Sequence, residues 1–276
     1  MGLDPKPTLD YIARLKEFGS SQLHLQFDGS FCELAADSFS CNWVYACPVD
    51  SLQSVFKGQR PFEFYADEAR GRARCAELSN EGYETYFYHA EAHGGGNCPI
   101  TRELIEAGPA RIGYVVLHEA WHTTCKVNRY NLPYAVEEST GRVIGLFGAI
   151  RYGQFAADAQ LTQLTTDQET AWYGFATFIN AAWDELQRLY STAAAIQEIA
   201  SCKEQLAANA CQLQHTLPAS WEKQELLQPI NNAFIARYHD YTVHYPWARA
   251  LLMQCRGDLA AAMKRFSQEL PPQYRQ

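Results

Sequence analysis

The segment Tyr114-Val115-Val116-Leu117-His118-Glu119-Ala120-Trp121-His122 constrains this chain more than any other stretch. His118 and His122 are four apart, so a helix sets both imidazoles on one face, one turn from each other. Ile112, Val115 and Val116 precede them, as expected of a helix buried in a core. A buried helix with two inward imidazoles needs something for them to bind. The pair can chelate Zn²⁺, while Glu119, about 100° around the helix, can reach a water on the metal without ligating it. This is the HExxH pattern, in which the glutamate acts as general base. The competing reading is a helix with two unrelated histidines, one of them hydrogen-bonded in the core. The chain has eight His and 31 acidic residues in 276. A chance match is then expected about 3 times in 100, so the metal reading is preferred.

A catalytic zinc site needs a third protein ligand and an open fourth position. Downstream stand Val136-Glu137-Glu138-Ser139-Thr140-Gly141. Fifteen residues lie between His122 and Glu138, enough for a loop and a second, antiparallel helix beginning near Glu137. That helix continues through Val143, Ile144, Phe147 and Ile150 at helical spacing, and Glu138 at its start can face His118 and His122. Taken alone, Glu137-Glu138 reads equally as first-turn charge complementing the helix dipole. After an HExxH segment, Glu138 as ligand is preferred. The set His118, His122 and Glu138 then predicts one zinc per chain. If Cys125, one turn past His122, closed the fourth position, the site would be structural and the protein a non-catalytic zinc binder.

The rest of the chain reads as α+β. A helix is predicted over 9–18, two strands around the Asp28-Gly29 turn in residues 23–34, and strands at 41–47, 62–65 and 83–93. A helix is predicted over 66–80. From Pro109 onward the pattern is helical. Residues 172–190 and 195–213 carry apolar stripes at spacings of three and four and read as a long helical hairpin. A last helical stretch covers 246–270, broken near Gly257. The expected organisation is a small mixed-sheet lobe over about 1–105, then a mainly helical lobe over 106–276 that carries the HExxH helix. No linker separates them, so 1–276 reads as a single catalytic unit.

Composition narrows the function. The chain has 23 basic against 31 acidic residues, a net charge of −8, and no Lys/Arg run. It lacks the electrostatic footprint of a nucleic-acid binder. No apolar stretch approaches the ~18 residues of a membrane span. Nine cysteines occur without a CxxC pair, which fits reduced thiols, and a cytoplasmic location is expected.

Two further groups are candidates for substrate contact. His89, Glu91 and His93 alternate, so on one strand they share a face. That face is a substrate wall, a second metal site, or a solvated edge. Tyr238, His239, Tyr241 and His244 offer either an electrophile for the oxyanion at a scissile carbonyl or an aromatic packing cluster. Gly94-Gly95-Gly96 is a backbone approach site or a flexible turn.

The order of HExxH, loop and glutamate on a second helix resembles that of the gluzincin zinc metallopeptidases. More broadly the chain resembles a bacterial family of predicted aminopeptidases. Glu137-Glu138-Ser139-Thr140-Gly141 stands where that family has an Asn-Glu-Ser-Phe-Ala-like stretch. Trp43-Val44-Tyr45-Ala46-Cys47-Pro48 before Ser51-Leu52 matches a second element, as do the Ala-rich helix before Gly82-Tyr83-Glu84, the Asn231-Asn232-Ala233 stretch with Tyr241, and Gly257-Asp258-Leu259. The resemblance runs from about residue 40, and its specific part is the HExxH-Glu set. It implies a zincin-like fold and zinc-dependent cleavage of peptide or amide bonds, aminopeptidase-like, with His118, His122 and Glu138 as ligands and Glu119 as base. It makes Tyr241 the first choice for the electrophile. The chain departs from the family at Glu137, where Asn is usual, and at Tyr88-His89-Ala90-Glu91-Ala92-His93-Gly94, which replaces a Ser-Thr-Leu-Gly-like strand. In gluzincins that edge strand pairs with the substrate. Glu91 is then the candidate partner for a free α-ammonium. The same machinery also fits an amidase or dipeptidase acting on a small molecule.

Overall fold

A computed structural model describes residues 6–35, 41–57, 60–92, 98–192 and 194–274. In chain order the elements are α1 (Lys6–Leu23), β1 (Cys41–Cys47), β2 (Glu63–Tyr65), α2 (Glu68–Asn80), β3 (Glu84–Ala90), α3 (Arg102–Glu106), α4 (Gly108–Asn128), α5 (Tyr134–Phe155), α6 (Ala159–Ser191), α7 (Ile196–Thr216), α8 (Trp221–Glu225), α9 (Asn232–Thr242), α10 (Tyr245–Gln254) and α11 (Leu259–Phe266). The class is α+β, as the sequence predicts. Among the described residues the sheet has three strands rather than four or five, in the order β2-β1-β3, and both pairings are antiparallel.

The missing strands are those expected around Asp28-Gly29. α1 extends to Leu23, and the residues after it form an irregular loop with its own anchors. Asp28 accepts from the Ser30 amide, an Asx turn, and Thr124 accepts from the Gln26 amide. Leu25 and Phe31 fill core positions from this loop, so their apolar alternation reflects burial without pairing. Among the described residues an isolated parallel bridge joins Leu34 and Ile100.

By internal packing the chain divides into two compact units. One comprises residues 1–37, 91–169 and 243–276, the other residues 38–90 and 170–242. Each takes segments from both sides of residue 105, where strands give way to helices.

The second unit holds the sheet. In the β1–β3 register Trp43 lies opposite Tyr88 and Tyr45 opposite Tyr86, while Asn42 faces His89 and Val44 faces Phe87. Strand alternation therefore gives the sheet one aromatic face and one mixed face. On the mixed face Val44 and Ala46 pack with Leu78 of α2 and with Phe87. On the aromatic face Tyr86 and Tyr88 pack against Phe234 and Tyr238 of α9.

The first unit is helical. α4 and α5 form its centre, and α1, α10 and α11 pack around them. α4 ends at Arg129 in the left-handed conformation (φ 57°), and α5 starts after Pro133. So short a connection makes the two helices an antiparallel hairpin. The expected break near Gly257 is present. Arg256 and Gly257 both have positive φ, and Asp258 caps α11 by accepting from the Ala261 amide. The nine cysteines are free thiols. No helix among the described residues is long and apolar enough to cross a membrane.

His244 precedes α10 and is buried, with Gln273 Nε2 donating to its Nδ1 at 2.8 Å. Burial pushes its pKa down to about 4. The folded state keeps this imidazole neutral while the unfolded chain protonates it near 6.5, so stability is present above that value and lost as pH falls toward 4. We predict that His244→Gln flattens the loss of stability between pH 6.5 and 4, by up to about 1.4 kcal/mol per pH unit. Urea midpoints of wild type and variant across that window check this. Parallel curves would remove His244 from the acid response.

Candidate metal centre

α4 presents His118 and His122 on one face, one turn apart. His118 is buried, and His122 and Glu119 are half-buried. The first turns of α5 bring Glu137 and Glu138 to them. His118 Nε2 and His122 Nε2 lie 3.1 Å apart. Glu138 Oε2 lies 3.4 Å from the first and 3.6 Å from the second. Ligand atoms of the three residues all fall within 4.8 Å of one another. Two imidazoles and a carboxylate converging in this way could hold a metal ion.

The hydrogen-bond inventory tests the fit. Glu138 Oε2 is buried and has no hydrogen-bond partner, and the same holds for His118 Nδ1. A buried carboxylate oxygen facing two ring nitrogens without a donor is a costly arrangement that a cation relieves. His122 is oriented from its other side, because its Nδ1 lies 2.7 Å from Glu137 Oε1. With Nδ1–H donating to Glu137, Nε2 is directed at the cluster. This is the carboxylate–histidine arrangement that supports metal ligands. Among the described residues Cys125 is not part of the donor group. Its thiol is buried and pushed above its ordinary pKa, chiefly by that burial.

Burial and mutual charge shift the titration of His118, Glu119, His122 and Glu138. Burial opposes charge on His122, but Glu138 and Glu137 outweigh it and raise its pKa well above the ordinary value. Burial drives the His118 pKa down to about 4. Glu138 resists burial because both imidazoles hold its carboxylate well below the usual range. Burial lifts Glu119 to about 7, aided by the charges of Glu138 and Asp28 and opposed by His122.

α5 comes this close to α4 because of its glycines. A Cβ on Gly141 would stand 3.1 Å from the His118 ring, and one on Gly145 would stand 2.7 Å from both the ring and the backbone oxygen of Tyr114. On Gly148 it would meet Leu117 at 2.9 Å. Trp121 Nε1 donates to Thr140 Oγ1 at 2.9 Å across the same contact. Two buried arginines flank the cluster, with the Arg111 and Arg142 guanidinium carbons 4.8 and 4.5 Å from the Tyr114 ring centre.

The other expected residues are placed differently. β3 ends at Ala90, so Glu91 lies beyond the strand and does not share a strand face with His89. His93 lies outside the described residues. His89 stands on the mixed face, opposite Asn42. Glu91 is buried in a bidentate ion pair with Arg111, Nε to Oε1 at 2.8 Å and Nη2 to Oε2 at 3.2 Å. Burial opposes its charge, and Arg111 more than compensates, holding the carboxyl below its usual range. This carboxylate already has a cation, which a substrate ammonium would have to displace. Tyr241 belongs to the second unit, its ring centre 4.1 Å from the Arg237 guanidinium carbon. Neighbouring His239 stacks on Trp183 at 3.7 Å.

The sequence reading missed Glu137 as the residue orienting His122, and it missed Arg142 and the glycine stripe. The doubled glutamate was the available signal for the first. The spacing Gly141, Gly145, Gly148 was the signal for the last.

A family model described as "putative aminopeptidase" matches residues 4–275, and the chain belongs to that family. No curated protein and no solved structure matches it.

Two predictions test this construction. Gly145→Ala forces Tyr114 and its backbone away and should destabilise the fold by about 2 kcal/mol, read in chemical denaturation. Glu91→Gln should lose about 3 kcal/mol by leaving Arg111 buried against a neutral partner. The double change Glu91→Leu with Arg111→Met should recover most of that loss. A Glu91→Gln protein as stable as wild type would show that the pair does not hold the fold.

Proposed function

We propose that this member of the putative aminopeptidase family is a zinc-dependent hydrolase of peptide or amide bonds that removes residues from free N-termini. Family membership points to peptidase-type hydrolysis. The observation that carries the zinc reading is the convergence of His118, His122 and Glu138 around a buried carboxylate oxygen with no hydrogen-bond donor.

In this reading His118, His122 and Glu138 hold one zinc ion per chain. Zn²⁺, when bound, polarises the scissile carbonyl and makes a water a nucleophile at neutral pH. Glu119, on the same helix and not a ligand, takes a proton from the attacking water on its carboxylate and passes it to the nitrogen of the leaving amine. Burial lifts its pKa to about 7, which strengthens the carboxylate as the base that takes the water proton. Glu137 keeps the His122 ring in the ligating orientation through Nδ1–H. Of the sequence alternatives, closure of the site by Cys125 draws no support from the donor group. An amidase or dipeptidase using the same residues remains the second reading, set apart by substrate alone.

Metal analysis and kinetics test the proposal together. Wild type should hold one zinc per chain, and His118→Ala or His122→Ala should hold none. Glu119→Gln should retain zinc while hydrolysis of aminoacyl amides falls about 10²–10⁴-fold. Full zinc occupancy in both histidine variants, or undiminished turnover by Glu119→Gln, would overturn the assignment.

A further inference from the structure

The second unit contains a buried cation that neither the fold nor the hydrolytic chemistry accounts for. Arg237, on α9, is 3% exposed. Its guanidinium carbon lies 4.1 Å from the ring centre of Tyr241, 4.7 Å from that of Tyr88, and 5.2 Å from those of Trp43, Tyr45 and Tyr238. Its Nε and Nη1 are buried and make no hydrogen bond among the described residues. Glu225 Oε2 accepts from the hydroxyls of Tyr86 and Tyr238. Arginine stays charged in proteins, so a whole positive charge is buried here among five ring faces. Ring faces attract a cation but accept none of its N–H bonds in the way a carboxylate does.

A cavity of about 170 Å³ lies in the same unit, lined mainly by apolar groups of Tyr45, Leu52, Pro61, Trp183 and Ala233, with Asp240 also in its wall. Tyr45 belongs to both the cavity wall and the arginine cage. On α9 the cavity-lining residues Ala233 and Asp240 are four before and three after Arg237, so they neighbour it on the helix surface. A void of about 150 Å³ accommodates a benzene ring. The cavity therefore offers apolar room for one phenyl-sized group beside the cage.

We propose that the Arg237 cage and this cavity form a binding site for a small monocarboxylate with an apolar body. The carboxylate accepts from the Arg237 guanidinium, and the body occupies the cavity beside Tyr45. Charge selects this class. One guanidinium balances one carboxylate, and planar carboxylates match its donor fork. A dianion would carry an uncompensated charge among the rings, with the Asp240 carboxylate in the neighbouring wall opposing it.

The site stands apart from the zinc reading and can be tested without it. The probe is 3-phenylpropionate, titrated into the 276-residue protein while the ¹⁵N resonance of the Arg237 Nε–H is followed. That signal is assigned by its loss in Arg237→Gln. A saturable shift is expected, with Kd of about millimolar order. The neutral amide of the same acid should bind about tenfold or more weakly, because it lacks the charge-assisted bond. This comparison uses wild type alone and does not depend on the variant folding. The shift should persist in His118→Ala, which separates its fate from that of the metal assignment. An unmoved Arg237 signal, an equal response to the amide, or an equal response to inorganic phosphate would each overturn the proposal.

Discussion

The contact between α4 and α5 fixes both the core of the first unit and the geometry of its donor cluster. Gly141, Gly145 and Gly148 follow one another at helical spacing, so they form a stripe on one face of α5. Against that stripe lie His118, Tyr114 and Leu117. Glu138 is three residues before Gly141 and shares its face. The close approach of the backbones therefore carries the carboxylate to within 3.6 Å of both ring nitrogens. A side chain anywhere along the stripe would separate the helices by a fraction of an ångström to more than one. A donor set cannot absorb that without losing its geometry, since ligand distances hold to within about 0.2 Å. Packing and chemistry are here one constraint.

The same contact concentrates charge where water is excluded. Glu119, Glu137 and Glu138 gather beside two imidazoles, with Arg142 behind Tyr114. The carboxylates favour the protonated, charged form of His122 against the cost of burying it. Ligands must be deprotonated to bind metal, so a dication that takes the cluster displaces that proton. The division of labour among the three glutamates follows from position on their helices. Glu138 faces both ring nitrogens, Glu137 is turned about 100° from it toward the far nitrogen of His122, and Glu119 is turned by the same angle from His118.

Much of this was legible in the sequence because the signals were periodic. Two histidines four apart and a glutamate at the start of the next apolar helix suffice to bring three side chains together, whatever surrounds them. β1 was legible from its run of strand formers and its stop at Pro48, and the break at Gly257 from the residues that permit it. The failures share a cause, which is that alternation was taken for pairing. Leu25 and Phe31 read as strand residues because a loop pins them into the core. Glu91 continues the alternation of β3 one residue past its end, where Arg111 rather than a strand determines its direction. An ion-pair partner twenty residues away leaves no local trace. The glycine stripe left one, but glycines in a helix read first as a loss of helix propensity and only second as room for a neighbour.

Arg111, Arg142 and Arg237, all buried, show how differently one fold can hold the same charge. Arg111 meets a carboxylate in a bidentate pair. Arg142 shares the Tyr114 ring with it. Arg237 lies among five rings, two of its nitrogens without hydrogen bonds among the described residues. Removing an ion from water costs several kcal/mol even after relaxation, and each ring returns about 0.5–2 kcal/mol. Five rings can then roughly offset the burial without satisfying the N–H groups. The alternation of β1 and β3 supplies that number, because Trp43, Tyr45 and Tyr88 all fall on one sheet face. An aliphatic residue at 237 would fill the same space among those rings with no charge to bury. Packing alone gives no reason for an arginine there, and a ligand that needs its donors does.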